Sequence, residues 1–243
     1  MANLKTNEAW KKLIEKNNIV ERIKEDGKFR ILSKQIKEFR EPRLMAKWDS
    51  SESLPSVLKK HNINILPDSS NSYILSDFEL YEKIPQLTEH VTEMQKVMVP
   101  DYETLEIKHI TSESNAINLL VLSNILDDFL EVEGNVQTFN GKMGSGKFDF
   151  FVDTKRGKEK ITVNNARIEI DAGFENKESV VIMEAKNVVH PDFHVRQLYY
   201  PYRLWKQRVT KPIRLVFSVY SNMIFRLFEF EFNDLEDYSS IRL

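Results

Sequence analysis

Apolar positions along the chain follow two periods. Over residues 7–25, Trp10, Leu13, Ile14, Ile19, Val20 and Ile23 recur at helical spacing. From Ser112, which starts a second helix, Ala116, Ile117, Leu119, Leu120, Leu122, Ile125, Leu126, Phe129 and Leu130 do the same until Gly134 stops it. Ser33 is placed to cap a short helix through Phe39 that Glu41-Pro42-Arg43 ends, and Ser53 with Pro55 opens another reaching about His61. Residues 63–66 and 73–75, around the turn-forming 67–72, read as a two-stranded wing. After Gly134 the period drops to two, with strands predicted over 136–139, 148–152, 161–163, 167–172 and 180–184. A helix over 191–208, kinked by Pro201, and strands over 213–219 and 224–232 follow. The pattern predicts an α/β protein: a mixed sheet flanked by helices over residues 101–243, preceded by a small helical module over residues 1–100. Helices ahead of a wing make that module winged-helix-like, and a small α+β packing unit is the alternative reading. Residues 76–110 read as an acidic connection, part helix and part linker.

Composition narrows the chemistry. The 243 residues, 41% hydrophobic, can bury a sizeable core. With no run of eighteen apolar residues and no signal-peptide h-region, the expectation is a cytoplasmic protein away from membranes. The absence of cysteine removes disulfides, thiolate zinc sites and cysteine nucleophiles, so a metal would need oxygen or imidazole ligands. The net charge of −2 hides an uneven distribution. Residues 1–50 carry thirteen Lys or Arg against eight acids, and residues 186–214 seven against one, whereas residues 75–135 carry three against thirteen. The two basic segments are suited to a phosphate backbone; an unevenly solvated surface is the plainer account.

Three charged residues on neighbouring predicted strands carry the chemistry: Asp171, then Glu184 and Lys186. Glu184 and Lys186 project from one face at the end of an apolar strand, where burying an acid and an amine is costly without partners. Two carboxylates and an ammonium converging across a hairpin make a divalent-metal site, with Mg²⁺ or Mn²⁺ favoured. Glu113 lies in the first turn of its helix, where it favours the dipole; its sharper reading is a third acidic contact to the site. Asp149 with Asp153, and Glu169 beside Asp171, read as solvated strand edges. Gly141 to Lys147 has Walker A spacing, but Phe148 replaces the required Ser or Thr and opens a strand, so a flexible loop and no nucleotide cofactor are expected. His190 and His194 are four apart, with Pro191 at the helix start, which favours capping or DNA contact over zinc.

Asp171, twelve residues, then Glu184-Ala185-Lys186 ahead of a helix resembles the PD-(D/E)xK nuclease superfamily. The segments 168–175, Gln197-Leu198-Tyr199-Tyr200-Pro201-Tyr202-Arg203 and Glu41-Pro42-Arg43-Leu44-Met45-Ala46-Lys47-Trp48-Asp49 resemble, more narrowly, a group of type II restriction endonucleases. Ile170 stands where the superfamily's name expects proline. The resemblance implies a restriction-endonuclease-like core in which Asp171, Glu184 and the Ala185 carbonyl bind Mg²⁺ and Lys186 orients or deprotonates water or stabilises phosphoryl charge. It further implies that Gln197 and the helix bearing Arg196 and Arg203 support the site and approach DNA. Arg40, Arg43 and Lys47 cluster in the first basic segment as candidate contacts to double-stranded DNA. A symmetric target would call for a homodimer. A structure-specific repair or recombination nuclease and a non-catalytic DNA-binding regulator are the alternatives.

Overall fold

The computed structural model describes residues 2–85, 96–99, 102–105 and 107–243. α1 (Ala2–Asn17) and α2 (Ile19–Asp26) replace the single predicted helix, because Asn18 adopts a left-handed backbone, φ 49°, that asparagine tolerates. β1 (Phe29–Leu32), α3 (Ser33–Lys37), α4 (Ser56–Lys60), β2 (Asn64–Ser69), β3 (Ser72–Ser76) and β4 (Tyr81–Lys83) follow. Ser33 is inside α3 rather than its cap: the Leu32 N–H donates to the Gln35 side chain instead. Ser53 likewise closes a 3₁₀ turn, and Pro55 precedes α4. The helix expected over 112–130 splits into α5 (Glu113–Leu122) and α6 (Ile125–Leu130) at Asn124, again left-handed at φ 57°. The strands β5 (Val136–Gly144), β6 (Lys147–Thr154), β7 (Gly157–Asn164), β8 (Arg167–Glu175) and β9 (Val180–Lys186) come next. β10 (Asp192–His194), α7 (Arg196–Trp205), β11 (Ile213–Ser221), β12 (Ile224–Phe232) and β13 (Ile241–Arg242) complete the chain.

Two expectations are corrected here. The supposed glycine loop is mostly strand: Gly141 to Gly144 continue β5 and pair with β8. The helix expected from residue 191 begins at Arg196, because residues 192–194 pair antiparallel with β4. The boundary expected between residues 100 and 101 lies outside the described residues.

The architecture is α/β with mixed sheets flanked by helices. One six-stranded sheet has the order β13-β12-β11-β9-β8-β5, with β9 and β11 parallel and the other neighbours antiparallel. α5 and α6 cover one face, burying Ile117, Leu120 and Leu126 against Val181, Met183 and Val216. α7 covers the other, where Leu198, Tyr199 and Leu204 meet Ile182, Leu215 and Phe217. Beyond α7 lies a five-stranded sheet of order β1-β3-β2-β7-β6, which joins the amino-terminal hairpin to a hairpin from the second half of the chain.

This shared sheet fuses the two halves. Side chains of β2 and β3 alternate: Ile65 and Leu75 face the Trp10 and Leu13 core of the amino-terminal helices, whereas Leu66 and Ile74 enter the same core as Phe148, Phe150 and Tyr200. Arg156, in the β6–β7 turn, donates to the Ile23 carbonyl at 2.7 Å and to the Gly27 carbonyl, satisfying the last turn of α2. The structure therefore predicts one cooperative unit. Leu66→Ala should destabilise the whole chain by about 2–5 kcal/mol, in a single urea transition. Two separable transitions, with only the first shifted, would show that the halves fold independently.

Candidate active site

β9 is apolar and buried from Val180 to Met183, then ends on Glu184, Ala185 and Lys186. Alternation sends Val181, Met183 and Ala185 towards α5 and α6, and Ile182, Glu184 and Lys186 towards α7. β8 pairs with β9 as far as Ala172↔Met183, and there the ladder stops. Asp171 lies one residue further on, and its Oδ2 accepts the Ala185 N–H at 2.9 Å across the opening fork. Against β5 the register shifts between Phe139↔Gly173 and Gly141↔Ile170, leaving an extra residue on β8 around Asp171. A bulge of this kind re-aims side chains, and this one brings Asp171 to Glu184. Gly173 gives the close approach: a Cβ there would lie 2.1 Å from the Phe139 ring, which itself stacks 4.0 Å from Trp205.

Lys186 Nζ donates to Glu184 Oε1 at 2.6 Å, and the Gln197 amide of α7 donates to the same oxygen. Two more carboxylates flank the ammonium, Glu113 Oε1 and Asp49 Oδ2, each at 3.7 Å. Glu113 is the first residue of α5, after the Ser112 cap, and from there its carboxylate reaches Lys186. Asp49 is not among the candidates that the sequence singles out. The one available signal is its position at the end of the 41–49 segment.

The electrostatics follow from four carboxylates around one ammonium. Burial pushes the Glu184 carboxyl up to about 8, against the pull of Lys186. Burial also raises Asp171 and Glu113, with Lys186 opposing it in both. For Lys186, burial disfavours the charge, but Glu184, Asp49 and Glu113 outweigh it and hold the pKa above its ordinary value. Lys186 is thus protonated at neutral pH, with four carboxyl groups set around it.

Among the described residues no group of three or more His, Asp or Glu side chains is placed so that it could hold a metal ion. The donor chemistry nonetheless fits a hard divalent cation. Asp171 Oδ1 and Glu184 Oε2 accept no hydrogen bond among the described residues, and the buried Gln197 Oε1 beside them has no partner. These atoms face a cleft of about 260 Å³ whose lining includes Lys47, Arg167 and Arg196. Lys47 and Lys142 each stand 3.5 Å from Glu169 at its edge, so the acidic floor has a basic rim.

Of the residues expected to contact DNA, Lys47 and Arg196 are at the cleft. Arg43 is exposed on the turn Pro42–Leu44 and forms no ion pair among the described residues, while Arg40 donates to the Thr6 hydroxyl inside its own module. Arg203 is a correction. Only 7% exposed, it donates at 2.9 Å to the Asp149 and Leu235 carbonyls and to the Tyr199 hydroxyl, with its guanidinium over Phe148. It is a core residue closed to solvent. His194 is also buried; its Nδ1 accepts the Arg196 N–H at 3.3 Å, a capping contact at the start of α7 that leaves no surface for DNA. His190 stands 4.0 Å from Glu52, apart from His194.

Residues 76–243 match the family described as a domain of unknown function, DUF6997, and the chain belongs to it. Residues 7–75 match a second such description, DUF6996, so the two stretches meet at the end of β3. No curated protein and no solved structure matches the chain. No helix among the described residues is long and apolar enough to cross a membrane.

The raised Glu184 carboxyl predicts a pH dependence. It binds its proton more tightly in the folded chain than at its ordinary value of 4.5, so the favourable contribution is complete below that value and is lost as the pH climbs towards about 8. In chelator-treated protein, melting temperature should fall across this window. Glu184→Gln, neutral throughout, should flatten the fall, and an unchanged slope in that variant would remove Glu184 as its cause.

Proposed function

We propose that the chain is a Mg²⁺-dependent nuclease of the PD-(D/E)xK superfamily, and more narrowly a type II restriction endonuclease hydrolysing both strands of double-stranded DNA at a short specific sequence. The observation that carries this reading is the convergence of Asp171, Glu184 and Lys186 at the β8–β9 fork, beneath a cleft rimmed by cations. A helix, an antiparallel run of strands and a parallel crossover through α7 support the superfamily core. The amino-terminal order β1-β3-β2 packed on α1 to α4 supports the winged-helix reading. A symmetric target sequence would be met by a homodimer.

Asp171, Glu184 and the Ala185 carbonyl would hold Mg²⁺, which when bound neutralises phosphate charge and lowers the pKa of its water. The chain does the rest by positioning. Lys186, protonated and held by Glu184, presents a fixed positive charge to a phosphoryl oxygen or to the attacking water. Gln197 fixes the orientation of Glu184 through its amide N–H. Lys47, Arg167 and Arg196 line the path for flanking phosphates. Buried charge that serves no reaction would be a pure cost to folding, which argues against a regulator built on this sheet.

Supercoiled plasmid incubated with the protein should give discrete bands with Mg²⁺ and none with chelator. Asp171→Ala and Glu184→Ala should each abolish cleavage while preserving the fold, and Lys186→Ala should slow it by roughly two or more orders of magnitude. Cleavage within a few-fold of wild type in any of the three would sink the assignment.

Arg43→Ala should weaken cleavage of the cognate site. If Arg43 meets a base edge, the loss should be about 1–3 kcal/mol on that site alone; if it meets phosphate, affinity should drop on every sequence and the salt slope should flatten. Binding titrations at two salt concentrations distinguish these outcomes, and an unchanged slope with an unchanged digest pattern removes Arg43 from the DNA-reading surface.

A further inference from the structure

We infer that the active site is composite: Asp49, delivered by the amino-terminal module, is a working carboxylate of the cluster around Lys186, so the site is incomplete without that module. For its consequence in catalysis this inference rests on the nuclease reading above; for cation binding it stands separately.

The placement of Asp49 is built from several independent anchors. Its carbonyl accepts the His194 N–H at 2.9 Å, which docks the segment against β10 just before α7 begins. The next two residues are held by one carboxylate: Asp192 accepts the Ser50 hydroxyl at 2.7 Å, the Ser51 N–H at 2.9 Å and the Ser51 hydroxyl. Ahead of it, the Trp10 and Trp48 indoles both donate to the Met45 carbonyl, at 2.9 and 3.2 Å, tying the segment to the amino-terminal core. A backbone fixed on both sides holds Asp49 at the cleft.

Asp49 Oδ2 stands 3.7 Å from Lys186 Nζ, and this is its one ion pair among the described residues. Lys47, two residues earlier, enters the same cleft and meets Glu169. One short segment thus brings both a cation and an anion to a site whose other charged groups come from α5, β8, β9 and α7. An ornamental surface acid would need no such scaffold. Lys186 is almost enclosed, at 12% exposure, whereas Asp49 is open to solvent at 53%. Asp49 can therefore add negative charge without the desolvation cost that Glu184 carries.

As a positioning residue, Asp49 holds the Lys186 ammonium together with Glu184 and Glu113 and adds its charge to the cation-binding field. Contact between the amino-terminal module and DNA then bears directly on the reacting centre, through the Asp192 clasp.

The test is Asp49→Asn in the full chain, an isosteric change that leaves the anchoring backbone intact, with Asp49→Glu as the conservative variant. Mn²⁺ binding is followed by calorimetry and plasmid cleavage by gel. Asp49→Asn should weaken Mn²⁺ affinity and slow cleavage, each by about tenfold, the scale of one charge several ångströms away at intermediate dielectric. Asp49→Glu should recover a large part of both, and melting temperature should not change. On a Lys186→Ala background at saturating Mn²⁺, Asp49→Asn should have no further effect on residual cleavage, the mark of a residue acting through Lys186.

Wild-type Mn²⁺ affinity and wild-type cleavage in Asp49→Asn overturn the inference. A wild-type protein that binds Mn²⁺ but leaves DNA intact defeats the nuclease reading alone, and the Mn²⁺ affinity of Asp49→Asn then decides for or against Asp49. A wild-type protein that binds no divalent cation overturns both.

Discussion

Everything at the centre of this molecule depends on ending a fully buried strand with an acid and an amine. β9 is buried on both faces as far as Ala185, so Glu184 is closed off and Lys186 meets solvent only at the cleft. Ion pairs in such places are held by their supporting hydrogen bonds, because the Coulomb attraction alone does not offset desolvation. The surroundings supply that support. Gln197 reaches Glu184 from α7, Asp171 takes the amide that the ended ladder leaves unpaired, and Glu113 and Asp49 supply the outer field. Each comes from a different element, so the pair fixes how α5, α7, the strand fork and the amino-terminal segment must meet.

The second constraint is the sheet held in common by both halves. A hairpin that presents Ile65 and Leu75 to one core and Leu66 and Ile74 to another makes one layer answer to two sets of neighbours. Arg156 closes the junction at its far end. The family stretches meet at the end of β3, within this continuous layer, so a boundary in sequence is not a seam in the packing.

Strands and site were legible because their signals are local. Alternation marks 148–152 and 161–163 correctly, and both extend further in the structure because pairing recruits polar flanks such as Lys147 and Lys158. Strand parity puts Glu184 and Lys186 on one face, whereas Asp171 joins them through a bulge that the sequence does not show. What escaped was conditioned by distant partners. Asn18 and Asn124 break helices whose apolar spacing runs straight through them, since periodicity records which side faces a core and not where the backbone turns left-handed. β10 exists only because β4 is there to pair with it. Arg203 reads as a surface cation until carbonyls from two remote segments and a tyrosine of its own helix surround it. Asp49 is an ordinary acid until residues more than a hundred positions away fix its backbone.

Gly173 shows how little slack the centre has. Its backbone has no conformation that only glycine could adopt; what excludes a side chain is headroom, since a single methyl would strike the Phe139 ring. That ring cannot retreat freely, because Trp205 lies against it at the end of the helix that also bears Gln197. An alanine at 173 would therefore act as a wedge. Its thrust would travel through the two rings into α7, and the Glu184 carboxylate that Gln197 orients on the neighbouring strand would register a change made away from its own hydrogen bonds.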